Sequence, residues 1–595
     1  MRFFAGVLMG CVVCAVSFAQ SFIPDSEALA PPTAARLAAI QAAAQRDGWA
    51  PQSAAIRAAA LRAYERDKLA AAAGWLYVYR WAALFGENEA DFIVRWIQAV
   101  TVAQANHANM PTRYLMRQQP LGLLLSPDCQ AWLIGNPEFS DEFFSLLQPV
   151  DFLPGVLQIL NDLHRADPAR FKTFANLALA IAVVYDVPPP PDWPHAQVSS
   201  AVFPRRLPRP LEAFKWWTRE EQLGHTYFRL EQLGADELKF VVDAAAPFDE
   251  LEWSQQISNY PLNLLERAYT IVAYRRDRAA ANVGMWPDKS YSLPAILGAG
   301  GICVDQAYFA TQAGKARGVP TLLFVGEGND GRHAWFGFLD GDQKWRLDAG
   351  RYAEQRFVTG FARDPQTWRP ISDHELKFLS ERFRKLSSFR QSRTHEMFAA
   401  DYLANGDPAA AARAARKAVN YERRNQPAWE TLLAAEASLG RDAKQREATL
   451  YEAVEAFQSY PDLEAFYSHR FSESLRARGQ TSAADFEQHR LARKFQGDRS
   501  DLSVEQARDM LFRSIAKQPL LEQIRTYNYA VDNFGRNAGM AFFDQVVRVF
   551  VEHLAQLGQR VEAVRAAERA RNALKVEPGS QLDQEFGRLL KMLKG

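Results

Sequence analysis

The sequence predicts a multidomain, mainly α-helical chain with a central α+β domain and a C-terminal region of α-helical repeats. Three observations carry that reading. Apolar residues recur at three- and four-residue spacing through residues 20–186, strand-like patterning with glycine-rich turns appears near 320–350, and small residues recur with a 34-residue period after residue 385. A length of 595 residues suggests roughly four domains at about 150 residues each. Hydrophobic residues at 48% against charged residues at 23% exclude wholesale disorder. Lys and Arg number 70 against 69 Asp and Glu, so no basic surplus points to nucleic acid or a polybasic membrane contact.

Residues 1–19 read as an export signal: Arg2 precedes an apolar run, and Ser17-Phe18-Ala19 is a small-x-small cleavage site. Leu8-Met9-Gly10-Cys11 has the look of a lipid-attachment box, but cleavage there leaves a very short apolar core. Cleavage after Ala19 and a periplasmic or extracellular location are therefore expected. Residues 20–195 form a helical N-terminal domain, in which Pro168 opens a helix and Pro188-Pro189-Pro190-Pro191 ends it. The apolar run 171–187 is interrupted by Lys172, Asn176 and Asp186. A bilayer span needs about 20 apolar residues, so no transmembrane segment is expected. His107, His164, His195 and His225 are scattered and read as ordinary surface or core residues. Residues 196–255 read as a connector with short elements, 256–380 as the α+β domain and 385–595 as the repeats.

Within the repeats, Gly406, Ala411 and Ala418 keep offsets that recur at Gly558, Ala563 and Ala570, and Gly406–Gly440 and Ala399–Leu433 are each 34 residues apart. Small side chains at such offsets let paired helices approach closely, and the period resembles the tetratricopeptide helix-turn-helix repeat, which offers its surface to protein partners. Pro427 and Pro578 come later than that repeat's terminal proline, and the units between 465 and 550 are irregular; an ordinary helical bundle is the competing reading.

Four cysteines exclude a disulfide scaffold at this length, and Cys11 and Cys14 fall in the leader. Of the other two, Cys129 has no catalytic context. Cys303 follows Gly298, Gly300 and Gly301 and opens the run VDQAYFATQAGKA, with Ala307, Ala310 and Ala313 on or near one face, before Gly318-Val319-Pro320 ends the helix. A thiol in the first helical turn feels the positive end of the macrodipole, which favours thiolate. The glycines let a substrate backbone come close. The competing reading is a buried structural cysteine, and a Cys129–Cys303 disulfide would consume the nucleophile.

The stretch HAWFGFLDGDQKWRLD, beginning at His333, reads as a β-hairpin turning at Asp340-Gly341, a favoured type I′ pair. That register sets Phe336 opposite Trp345, Ala334 opposite Leu347, and His333 opposite Asp348 on the other face, with Cβ atoms about 4.5–5.5 Å apart. A thiol nucleophile needs a base, and the base needs a group to fix its tautomer. Cys303, His333 and Asp348 fit those roles. The amide of Cys303 and a second donor, Trp286 or Gln306, would hold the oxyanion.

The runs Gly301-Ile302-Cys303-Val304-Asp305, Arg317-Gly318-Val319-Pro320, His333-Ala334-Trp335 and Trp345-Arg346-Leu347-Asp348 resemble the transglutaminase-like superfamily over roughly residues 260–370. The resemblance implies a papain-like fold, with the thiol on a helix and the His and Asp on adjacent strands. It places Cys303, His333 and Asp348 at the triad positions, with Gly301 and Trp335 as candidates for the substrate cleft. The superfamily includes cross-linking transglutaminases, bacterial peptidases, peptide N-glycanase-like amidases and non-catalytic members. In this chain Ala349-Gly350 stands where many relatives continue with proline and threonine.

The function expected is an exported thiol-dependent amide hydrolase or acyl transferase acting on protein or peptide substrates. The alternative is a non-catalytic scaffold that binds peptides or proteins. The sequence 326–331 matches G-x-G-x-x-G literally, but a strand rather than a helix follows, so no dinucleotide site is expected. No zinc or calcium motif is present, and neither a metal nor a cofactor is expected.

Overall fold

The computed structural model describes residues 23–103, 117–281, 283–352, 358–495, 497–535 and 537–594, so the predicted export signal lies outside the described residues. The chain is mainly helical, with one small antiparallel sheet. Helices from Ala34–Asp47 to Ala175–Val184 build the N-terminal part, and several begin where a short polar side chain caps the first turn: Thr33, Asn88, Ser126, Asn136 and Asp167 each accept a helix amide. Pro168 does open a helix, capped by Asp167 Oδ1 on the Arg170 amide at 2.9 Å. That helix breaks at Phe174 and restarts as Ala175–Val184 rather than running through. Its residues from Leu177 to Val184 are all fully buried, and no helix among the described residues is long and apolar enough to cross a membrane.

The segment expected to be a connector carries three helices, Pro210–Gln222, Ala235–Val242 and Phe248–Ile257. They tie the N-terminal helices to the sheet: Ala235–Val242 packs on Ala175–Val184, and Phe248–Ile257 packs on the cysteine helix. As a result one connected apolar core takes in residues from Ile23 to Tyr467, across the expected boundaries near 195, 255 and 380. A second core holds Ala492 to Leu593, and a small third one covers the outer face of the sheet.

Helix α1 (Cys303–Ala316) opens where Asp305 reaches back to the Ile302 amide at 2.8 Å. It closes at Gly318, with Val319 N donating to Gly314 O and Gly318 N to Lys315 O, the paired bonds of a Schellman end. Ala307 and Ala310 are fully buried and Ala313 nearly so, which lets α1 lie close on the sheet. Five strands follow: β1 (Thr321–Glu327), β2 (Arg332–Leu339), β3 (Trp345–Ala349), β4 (Phe361–Arg363) and β5 (Pro370–Ser372), in spatial order β3-β2-β1-β4-β5. Every pairing is antiparallel. The buried Lys315 ammonium on α1 is held by Asp243, by Phe240 O at 2.5 Å and by Thr321 O at 2.8 Å, pinning helix to sheet.

The β2–β3 hairpin differs from the expected one. Asp340 O accepts from Gln343 N at 2.9 Å, Gln343 takes a left-handed φ of 56°, and Asp340 N donates to Lys344 O at 2.9 Å. This is a three-residue loop, a type I turn followed by a left-handed residue. The Asp340 carboxylate selects it by accepting from the Asp342 and Lys344 amides. Leu339 therefore pairs with Trp345, not with Asp342. Farther along, Phe338 pairs with Arg346 but Phe336 with Ala349, so Leu347 and Asp348 together oppose Gly337 in a β-bulge.

After residue 385, the helices from Ser387–Ala404 to Leu520–Phe534 pack in chain order, each against the next, and Leu520–Phe534 also packs on Arg560–Ala573. Gly406, Gly440 and Gly558, the periodic glycines of the sequence, each end a helix, and Ala411, Ala418, Ala563 and Ala570 are fully buried between helices. The last helices fold back onto the β1–β2 loop. Met540 N donates to Gly328 O and Leu582 N to Asp330 O, both at 3.0 Å, and Arg332 N donates to Gln581 Oε1 at 2.8 Å.

Candidate functional site

Cys303 and His333 open onto one cleft of about 930 Å³. Helix α1 presents the thiol from its first residue, and β2 presents the imidazole at the end where its pairing with β1 stops, His333 opposite Gly326. The third wall comes from the far end of the chain, with Asp501, Ala541, Gln545, Gln581, Gln584 and Glu585. Both free cysteines are reduced, and Cys129 is fully buried, its thiol pushed up to about 12 by burial.

The environment of the thiol is mixed. Burial pushes the Cys303 thiol up, while the amides of Ala334, Val304 and Cys303 itself pull it down. The amides at the helix start act as the sequence expects, but burial outweighs them and holds the thiol above its ordinary value. The same amides are placed where negative charge at sulfur or on an adjacent carbonyl oxygen would be held. Tyr269 Oη donates to Ala334 O at 2.9 Å, holding the same residue through the next peptide unit.

His333 is 6% exposed. Its Nε2 lies 2.9 Å from Gly350 O. A carbonyl only accepts, so Nε2 carries a proton, and Nδ1 is the ring nitrogen that can act as a base when the ring is neutral. Tyr352 stacks on the ring with centroids 4.4 Å apart. Asp348, expected as the orienting group, is not the partner at Nε2. The bulge turns it outward at the sheet edge, where it is exposed, and Gly350 O meets the imidazole instead. Gly350 holds φ of 87°, and a β-carbon there would come within 2.6 Å of the Tyr269 ring. Only glycine fits both constraints, which accounts for Ala349-Gly350 at this strand end. Asp348→Asn is therefore expected to change the alkylation rate of Cys303 less than about threefold, and Gly350→Ala to change it by tenfold or more; mass-spectrometric labelling rates check both.

The remaining sequence candidates lie outside the cleft. Trp286 donates its indole N–H to Ser290 O at 2.9 Å, and Gln306 Nε2 donates to Val272 O at 2.8 Å, so both expected oxyanion donors are engaged elsewhere. Gly301 bridges Tyr274 in the backbone, and a β-carbon on it would come within 2.4 Å of the Asp305 Cβ. It serves the packing of the α1 start, and Ile302 and Tyr274 line the cleft in its place. Trp335 is fully buried with its indole on Leu347 O at 2.9 Å, part of the outer core of the sheet.

A buried polar chain that sequence reasoning missed supports the thiol. Asp305, fully buried, accepts from the Ile302 amide, from Arg278 Nη1 at 2.9 Å and from Tyr291 Oη at 3.0 Å. With the Tyr291 proton given to Asp305, His195 Nε2 donates to Tyr291 Oη at 2.8 Å, and His195 Nδ1 accepts from the Gln197 amide at 3.2 Å. Burial pushes His195 down to about 3, so this ring is neutral and structural. Asp-x-x from a helix start was visible as a capping signal, but its partners lie 14 to 110 residues away with no local pattern.

On the opposite side, Arg332 pairs with Asp544, with Glu585 at 3.4 Å and with Glu327 at 3.7 Å. Burial and the neighbouring Asp544 push Glu327 up to about 7, against the pull of Arg332 and Arg548. The folded form thus binds this proton more tightly than the unfolded chain. The contribution to stability is full below the ordinary carboxylate value of about 4.3 and is lost as pH rises through about 7. Amide exchange in Gln581–Lys594 is expected to quicken between pH 5.5 and 8, and Glu327→Gln to flatten that dependence.

No family model matches the chain, and no curated protein is similar to it at a significant level.

Proposed function

We propose that the chain is an exported thiol-dependent amide hydrolase or acyl transferase of transglutaminase-like type, acting on protein or peptide substrates. The observation that carries the reading is a thiol at a helix start sharing one cleft with an imidazole whose Nε2 is tied to a carbonyl, while backbone amides surround the sulfur. Cys303 Sγ attacks the carbonyl carbon of a carboxamide as His333 Nδ1 takes the thiol proton. The C–S bond forms, and the charge on the carbonyl oxygen is met by backbone N–H groups. His333 then gives that proton to the leaving nitrogen as the C–N bond breaks. Water or a second amine attacks the thioester and releases Cys303. Because the resting thiol is raised by burial, deprotonation waits for substrate rather than preceding it. The α+β unit around α1 is read as papain-like and the helices after residue 385 as tetratricopeptide-like.

A second groove favours a partner-binding role for those helices. It measures about 400 Å³ between Pro461–Ala477, Thr481–Phe495 and Ser500–Lys517, and is lined by Phe466, Arg470 and Arg513 among others. A pull-down with wild type and Cys303→Ala separates the two roles. Partners held covalently only by the cysteine protein support catalysis, and identical partners from both support a scaffold.

A further inference from the structure

Twenty-five large apolar side chains are exposed among the described residues, and four of them meet in the cleft: Tyr274 at 39%, Val283 at 41%, Val325 at 47% and Phe361 at 40%. Exposed apolar surface inside a concave site marks where a ligand is covered. Its position relative to the thiol follows from the sheet. Val325 on β1 lies opposite Ala334 on β2, the residue whose amide faces Cys303, and opposite Phe361 on β4. Directly paired residues share a face, so Val325, Ala334 and Phe361 form one strip running away from the sulfur. His333 Nε2 is held by Gly350 O just beyond β3, so the imidazole is drawn to the β3 side of β2, whereas Val325 and Phe361 lie on β1 and β4, on its other side.

That arrangement separates the two halves of a substrate. The leaving nitrogen must receive its proton from His333 and so lies on the imidazole side. The acyl half then lies over the Val325–Phe361 strip, with Tyr274 and Val283 lining the same cleft. The carboxamides of Gln545 and Gln584, on the wall built by the C-terminal helices, suit a polypeptide backbone beside it.

We propose that this strip is a specificity subsite, taking a large apolar side chain on the acyl half of a peptide substrate. The proposal rests on Cys303 being the nucleophile. It is tested with two affinity labels, N-acetylphenylalanyl and N-acetylglycyl chloromethyl ketone. Each rate of Cys303 modification is divided by the same variant's iodoacetamide rate. Wild type is expected to prefer the phenylalanyl label by tenfold or more, and Phe361→Asp and Val325→Asp to reduce that preference below about threefold, with circular dichroism confirming that each variant is folded. Equal rates with the two labels in wild type, or a preference kept by both variants, overturns the subsite while leaving the thiol reading standing. If iodoacetamide modifies wild-type Cys303 no faster than His333→Ala, the nucleophile reading falls and the subsite with it.

Discussion

Replacing His333 with alanine is expected to slow acylation of Cys303 by p-nitrophenyl acetate about 10²–10⁴-fold at pH 7, the range a positioned general base contributes. The size of the effect follows from the resting thiol. Burial raises it, and the surrounding amides recover only part of that shift, so little thiolate exists at neutral pH without a base. His333 is suited to the task because Gly350 O holds Nε2 in the protonated form. Tyr352 and the β1–β2 pairing fix the ring plane and the strand end. His333→Gln, which keeps a polar group but supplies no comparable base, should resemble alanine. Acylation at the wild-type rate in either variant would exclude His333 as the base.

Cutting Arg278 back to methionine is expected to cost about 3–5 kcal/mol of local stability at the start of α1, the penalty for stripping one partner from a buried ion pair. Arg278 and Asp305 are 5% and 0% exposed as side chains, and their contact is 2.9 Å. Burial already pushes the Asp305 carboxyl up, and without the guanidinium it would stay charged only at high cost or take a proton. Either way it binds the Ile302 amide less well, and the thiol next to it loses its frame. Hydrogen exchange at the Ile302 amide should quicken about 10²–10⁴-fold, taking 1.36 kcal/mol per decade. The pair Arg278→Met with Asp305→Leu should recover part of the loss, since removing both charges abolishes the buried unpaired carboxylate. It cannot recover all of it, because the cap on Ile302 goes too.

Local patterns in the sequence carried the helix after Cys303, its end at Gly318-Val319-Pro320, the existence of the β2–β3 hairpin and the helical character of both arms. The hairpin's register was not readable from an Asp-Gly pair alone. Asp340 favours a different turn by accepting two amides from within the loop, and the bulge at Leu347 and Asp348 depends on how β3 meets Gly337. Those two events leave Asp348 exposed and bring Gly350 O to the His333 imidazole. The helices at Pro210–Gln222 and Phe248–Ile257 were obscured because their apolar spacing is broken by charged residues, such as Glu212, Arg219 and Asp249, that face outward. The wall formed by Gln545, Gln581 and Glu585 had no local signal at all. It comes to the cleft because Arg332 and the 328–331 loop dock between helices more than 200 residues later, a contact that only tertiary packing creates.

The central claim, that the Cys303 proton passes to His333, is tested most directly by the pH profile of Cys303 alkylation with iodoacetamide, followed by peptide mass spectrometry in wild type and His333→Ala. Wild type is expected to react with an apparent pKa in the imidazole range, and the alanine variant only above the ordinary thiol value of about 8.5, so that the two rates differ by roughly 100-fold near pH 7. Coincident profiles, with the thiol titrating at the same pH in both proteins, would contradict it.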